Sequence, residues 1–106
     1  MIALAALGAA AIAVATSKPD PLLADWALAR CLARAATGQP FAADAARSAS
    51  ALLQRGTADA DAYARIDRRV TAALARPRSG STGGSYATLT CIELAQAVAK
   101  ETAQRR

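Results

Sequence analysis

The stretch that decides the fold reads Asp25-Trp26-Ala27-Leu28-Ala29-Arg30-Cys31-Leu32-Ala33-Arg34-Ala35. It contains the only tryptophan and one of the two cysteines of the chain. Its apolar positions 28, 31, 32 and 35 recur at a spacing that places them on one face of an α-helix. A second apolar stripe lies beside the first and is made by Leu22, Trp26, Ala29 and Ala33. A helix that is apolar over so wide an arc is expected to be the central element of the fold.

The second cysteine, Cys91, lies far downstream, where apolar residues again recur at helical spacing. A metal site needs about four ligands, and the chain has no histidine to supply one. A nucleophilic cysteine would likewise lack a histidine base. We interpret Cys31 and Cys91 as a disulfide between the first and last helices, with two buried free thiols as the alternative. Closing a loop of about 60 residues contributes roughly 4 kcal/mol in the chain-entropy model.

The rest of the chain predicts three further helices and no strand of useful length. The first helix should span about Pro21–Ala36, with Asp20 as its N-cap, and the second about Phe41–Arg55. The third should start near residue 57 or 59 and end at Arg76, before a proline. For the fourth, Thr90-Cys91-Ile92-Glu93 fits a capping box, with Thr88 as an alternative cap. The predicted fold class is all-α, a small bundle of about four helices.

The predicted core faces of the middle helices follow from the same spacing. The second helix should bury a stripe of small and branched residues, namely Ala42, Ala45, Ala46, Ala49, Leu52 and Leu53. The third should bury Tyr63, Ile66, Val70 and Leu74, at steps of three and four. Alanine contributes little buried area, so this core would benefit from a covalent staple or a partner subunit.

Composition narrows the possible functions. The chain has 106 residues, which fits one domain, and a net charge of +5 with 11 arginines among 13 basic residues. These basic residues alternate with acids, and no RNA- or DNA-binding motif accompanies them. We therefore interpret the charges as a solvated face and predict no nucleic-acid partner. The absence of histidine also removes the usual general base, so we predict no enzymatic activity, no cofactor and no metal.

The N-terminal residues 1–15 are uncharged and mostly apolar, and they end in Ala13-Val14-Ala15. This run is too short to span a membrane, and its end fits a signal-peptidase site. The basic residues that normally precede such a run are missing, so the true start lies upstream or the signal is weak. We predict a signal peptide at 1–15 and one mature domain at 16–106 without stable membrane association. An alanine-rich helix of the mature protein is the alternative.

The only low-complexity stretch separates the third helix from the fourth and covers residues 78–85. It is rich in glycine and serine, as flexible loops are. It is not a phosphate-binding P-loop, because no Gly-Lys-Ser/Thr follows its glycines. It is either a disordered connector or a protruding loop that enters a groove of a partner.

Several segments, taken in order, carry a family resemblance. They are Asp25-Trp26-Ala27-Leu28-Ala29-Arg30-Cys31-Leu32, the Ala/Ser-rich second helix, Tyr63-Ala64-Arg65-Ile66, and Leu89-Thr90-Cys91-Ile92-Glu93-Leu94. With the cysteine positions and the export signal, they resemble the group-four amidase-immunity proteins of the bacterial type VI secretion system. The resemblance extends over about residues 20–99.

The resemblance implies a small, helical, periplasmic, disulfide-bonded protein that is often a homodimer. Such proteins block a cognate peptidoglycan amidase, a papain-like DL-endopeptidase that cleaves the γ-D-glutamyl–diaminopimelate bond, and so protect the producer cell. A loop near the second cysteine enters the groove of the toxin, and the third helix is the expected additional surface. The implied partner-binding residues are Arg76, Arg78, Ser79, Gly80, Ser81, Thr82, Gly83, Gly84, Ser85 and Tyr86. The alternative function is a small exported structural or adaptor protein without a toxin partner.

Overall fold

The structure, a computed structural model, describes residues 20–76, 78, 80 and 84–104. These residues form four α-helices: α1 (Leu23–Ala35), α2 (Pro40–Arg55), α3 (Ala60–Ala75) and α4 (Ala87–Gln104). The prediction of an all-α bundle of about four helices is confirmed for this part of the chain. The predicted signal peptide, residues 1–15, lies outside the described residues.

Helix α1 is the centre of the bundle. It packs against α2, α3 and α4, and α3 also packs against α4. Trp26, Ala27 and Cys31 of α1 are buried together with Val70 of α3 and Val98 of α4. The ring of Trp26 meets that of Tyr63 edge-to-face, with centroids 5.0 Å apart. The wide apolar arc predicted for this helix therefore reflects three neighbours packed around it.

The disulfide predicted between Cys31 and Cys91 is present and joins α1 to α4. The two Cα atoms lie 5.5 Å apart, within the ordinary range for such a bridge. Both cysteines are completely buried. The bridge therefore fixes the first turns of α4 directly onto the central helix.

The start of α1 differs from the prediction. The helix begins at Leu23 after a turn at residues 21 and 22, and Leu22 at the N-cap position makes no side-chain cap. The Asp20 carboxylate instead accepts three hydrogen bonds from backbone amides. The donors are Leu22 at 2.9 Å, Thr57 at 2.7 Å and Ala58 at 3.1 Å. The main role of Asp20 is therefore to link the start of α1 to the α2–α3 connection through hydrogen bonds.

The predicted core face is confirmed for α3 and partly wrong for α2. In α3, Ile66 and Val70 are buried, while Tyr63 and Leu74 pack at the edge of the core. In α2, only Ala45 and Ala49 are buried; Leu53 is 47% exposed. The reason is topological, because α2 packs only against α1 and so buries a narrower stripe than a helix held between two neighbours.

Candidate functional site: the connection between α3 and α4

Helix α3 ends where the sequence predicted. Arg76 is its C-cap residue, with extended backbone angles (φ −81°, ψ 129°) and an amide that donates to the Ala73 carbonyl at 3.3 Å. The following residue, Pro77, lies outside the described residues. The chain thus leaves the bundle at Arg76, whose side chain is at the surface.

Arg78 ties the beginning of the connection back to α4. Its Nη1 donates to Glu93 Oε1 at 2.6 Å and, more weakly, to Thr90 Oγ1 at 3.4 Å. The predicted capping box at residues 90–93 is wrong, because α4 begins one turn earlier, at Ala87. Thr90 is therefore inside the helix, and Glu93 is free to bind Arg78.

The returning end of the connection has unusual backbone geometry. Gly84 and Tyr86 both have positive φ, 87° and 54°. This is ordinary for glycine and uncommon for a bulky residue such as tyrosine. The Tyr86 carbonyl accepts from the amide of Thr90 at 3.1 Å and from its hydroxyl at 3.2 Å. Tyr86 is therefore held at the start of α4 by the first hydrogen bonds of that helix.

Gly80 and Tyr86 bring the two ends of the connection together. A Cβ atom built on Gly80 would overlap the phenol ring of Tyr86. A glycine is needed here because of this close approach, and any larger residue would push the ring away. Since Gly80 follows Arg78 and Tyr86 precedes α4, the connection has a closed neck whose two sides are both anchored on α4.

Two adjoining cavities open beside this neck. The larger, about 410 Å³, lies between α3 and α4. The smaller, about 280 Å³, reaches the base of the connection and is bordered by Ser85 and Ala87. Both are lined by Arg76 and Arg78. The structure thus brings together Arg76, Arg78 and Ser85 of the predicted partner-binding set, and it places Gly80, Gly84 and Tyr86 at the neck. The remaining four, Ser79, Ser81, Thr82 and Gly83, lie outside the described residues.

Two charged groups hold the scaffold behind this site through long-range contacts that the sequence did not predict. Burial by itself would raise the pKa of Asp20, but the hydrogen bonds from Leu22, Thr57, Ala58 and the Tyr63 hydroxyl hold it below the ordinary 3.8. Burial, and then the negative charge of Asp20, raises the pKa of Tyr63. A Cβ atom on Gly56 would overlap the Tyr63 hydroxyl and approach Asp20, so this polar cluster also requires a glycine.

The second such group is Asp67 of α3. Its carboxylate accepts from Arg30 of α1 at 2.7 Å, and Arg34 lies 3.5 Å away. The hydrogen bond from Arg30 lowers the pKa of Asp67; burial opposes this effect, and the charges of Arg30 and Arg34 add to it. This ion pair links α1 to α3.

Two searches for other kinds of site were negative within the described part of the chain. No group of three or more His, Cys, Asp or Glu side chains is placed to hold a metal ion. None of the helices described is long and apolar enough to cross a membrane. The arrangement around the connection offers arginines and hydroxyls, which are groups suited to binding a partner.

The fold and the site define a class: a small, all-helical, disulfide-linked domain that presents an anchored, arginine-bordered loop. Residues 21–102 match the model of the Tai4 family, described as type VI secretion system amidase immunity protein. The chain belongs to this family, as its sequence motifs predicted. Searches among curated proteins and among solved structures gave no match.

Proposed function

We propose that this protein binds the cognate secreted peptidoglycan amidase and occludes its active site, protecting the producer from its own toxin. The observation that carries the proposal is the family match over residues 21–102, which spans all four helices. The resemblance adds the class of toxin, a papain-like amidase that cleaves the γ-D-glutamyl–diaminopimelate bond. Inhibition by occlusion requires no chemistry from the inhibitor, only a surface that fits the groove.

The anchored neck supports a loop-insertion mechanism. A loop that is ordered only on binding loses conformational entropy, and this loss weakens the complex. Here both ends of the loop are already fixed, by Arg78 on Glu93 and by the Tyr86 carbonyl on Thr90. The disulfide at Cys91 in turn fixes this part of α4 on α1. We expect residues 78–86 to enter the groove, with α3 as a further contact surface.

The compartment and the oligomeric state belong to the same proposal. We infer that residues 1–15 are removed as a signal peptide and that residues 16–106 act in the periplasm, where a disulfide is stable. We also expect a homodimer, as the family resemblance implies.

The test is inhibition of the amidase encoded beside this gene. Residues 16–106 should abolish hydrolysis of a stem peptide by that enzyme at near-equimolar concentration. Deletion of residues 80–85 should weaken inhibition strongly while leaving the helical circular-dichroism signal and the disulfide intact. Inhibition by the deletion variant at wild-type strength would remove the loop from the mechanism. Full amidase activity in excess wild-type protein would overturn the proposed function itself.

A further inference from the structure

The larger cavity beside the loop is a groove whose chemistry points to a particular contact. We call it the α3–α4 groove. It has a volume of about 410 Å³, and both apolar and charged side chains line it. The lining residues are Arg69, Ala72, Ala73, Arg76, Arg78, Thr90, Glu93 and Leu94.

The three arginines of the groove differ in their partners. Arg69 binds Glu101 through two hydrogen bonds of 2.8 and 3.0 Å, and Arg78 binds Glu93 at 2.6 Å. Arg76 has no carboxylate within ion-pair distance among the described residues and is exposed. Among the described residues, the groove therefore has one positive charge without a carboxylate partner, at the end of α3.

We propose that the α3–α4 groove is a second contact surface for the amidase and accepts an aspartate or glutamate side chain of that enzyme on Arg76. This inference rests on the proposed function. A planar guanidinium matches a carboxylate in a bidentate geometry, and a charge-assisted pair of this kind is directional. Ala72, Ala73 and Leu94 also line the groove and offer apolar contacts to the stem of the incoming residue.

Position selects the amidase as the occupant. The smaller cavity shares Ala73, Arg76, Arg78 and Thr90 with the groove and continues to Ser85 and Ala87, at the base of the loop. An enzyme that receives the loop in its cleft would thus place the rim of that cleft over Arg76. The net charge of +5 further favours an acidic rim.

The same geometry separates the roles of Arg76 and Arg78. A carboxylate that binds Arg76 does not have to displace Glu93 from Arg78. Arg78 then holds the neck of the loop in place, while Arg76 binds the carboxylate of the amidase.

The test compares charge variants of the full mature chain with the purified amidase. We expect Arg76→Glu to weaken binding by about tenfold or more, because it replaces attraction with repulsion at the rim. Arg55→Glu is the matched control, since Arg55 is exposed at the last position of α2, undergoes the same charge change and lies outside the groove. Arg76→Lys should give an intermediate loss of affinity, because lysine keeps the charge but lacks the two parallel N–H donors of the guanidinium. The difference in affinity between the wild type and Arg76→Glu should be smaller at high salt than at low salt, because salt screens the charge interaction.

The outcomes separate the two proposals. If the wild type binds the amidase and the variants at positions 76 and 55 bind with equal affinity, the groove is not a contact surface and this inference is wrong, while the proposed function stands. If the wild type itself neither binds nor inhibits, the proposed function fails and this inference fails with it. Equal thermal unfolding midpoints of the two glutamate variants exclude misfolding as the cause of a difference.

Discussion

Asp20 shows how one side chain can hold together segments that are far apart in the chain. It is 3% exposed, and its carboxylate accepts hydrogen bonds from backbone amides at the start of α1 and in the α2–α3 connection. A buried carboxylate is stable only when its oxygens are bonded in this way, because burial otherwise favours the neutral acid. The charge of Asp20 is therefore part of the fold, although the residue lies at the edge of the described chain.

Replacing Asp20 by Asn should lower the free energy of unfolding by about 1–3 kcal/mol. Asn has a single acceptor oxygen, whereas Asp20 accepts hydrogen bonds at both of its carboxylate oxygens. For a domain of this size, each kcal/mol lowers the melting temperature by about 4–8 °C. Thermal unfolding at neutral pH measures the loss. Asp44→Asn is the control, because Asp44 lies on the surface with only a long ion pair to Arg47 (3.7 Å). Equal melting temperatures of the two variants would contradict the role given to Asp20.

The pH dependence of stability provides a second prediction about the same carboxyl. The pKa values of Asp20 and Asp67 lie below their ordinary 3.8 in the folded state, so the unfolded chain binds more protons in acid. Their contribution is fully present above about pH 5 and is lost as the pH falls through the folded-state pKa values. Unfolding in urea from pH 7 to pH 3 should show this decline for the wild type and a shallower one for Asp20→Asn. Identical slopes would show that folding does not lower the pKa of Asp20 and would contradict this prediction.

These residue contacts mark the limit of prediction from sequence. The 3.6-residue spacing placed Ile66 and Val70 in the core correctly, because periodicity reports which side of a helix faces inward. It gave no information on Asp20 and Thr57, which are 37 residues apart, nor on Arg30 and Asp67, which have the same separation. An aspartate before a proline and a helix has an ordinary local interpretation as a cap, and only the packing of α1 against the α2–α3 connection changes it.

At the scale of the elements, the disulfide and the end of α3 determine where the loop is held. The ends of α2 and α3 were predicted to within a residue, because Gly56 and Pro77 are strong stop signals. The start of α4 was misplaced by one turn. Thr90 and Glu93, which have the spacing of a capping box, lie here inside the helix. The Thr90 hydroxyl donates to the Tyr86 carbonyl one turn earlier, and Glu93 accepts from Arg78. Local rules could not predict the bond between Arg78 and Glu93, because the two residues are 15 positions apart and Arg78 lies outside the helix.

Removing the disulfide should cost about 4 kcal/mol of unfolding free energy, as expected for cysteines that are 60 residues apart. The suitable variant is Cys31→Ala with Cys91→Ala, because a buried serine would add an unsatisfied hydroxyl. Urea unfolding measures the change. Reductant should shift the wild type towards the variant and leave the variant itself unchanged. A variant with the wild-type midpoint would show that the bridge does not stabilise the fold.

At the scale of the whole molecule, a continuous series of contacts connects the small core to the binding loop. Helix α1 packs on every other helix, the disulfide joins it to α4, and α4 holds both sides of the neck. The fold class and the disulfide followed from sequence patterns, and the family followed from motif order. The groove beside Arg76 could not be predicted from the sequence, because it exists only where α3 and α4 pack side by side.

The most direct test of occlusion is protection of the amidase's active-site thiol. The rate of its alkylation by iodoacetamide should be measured for the free enzyme and for the complex with residues 16–106. Occlusion predicts that alkylation slows to the rate set by the small unbound fraction of enzyme, and that deletion of residues 80–85 restores it. A complex that forms fully while its thiol reacts as fast as in the free amidase would contradict the account.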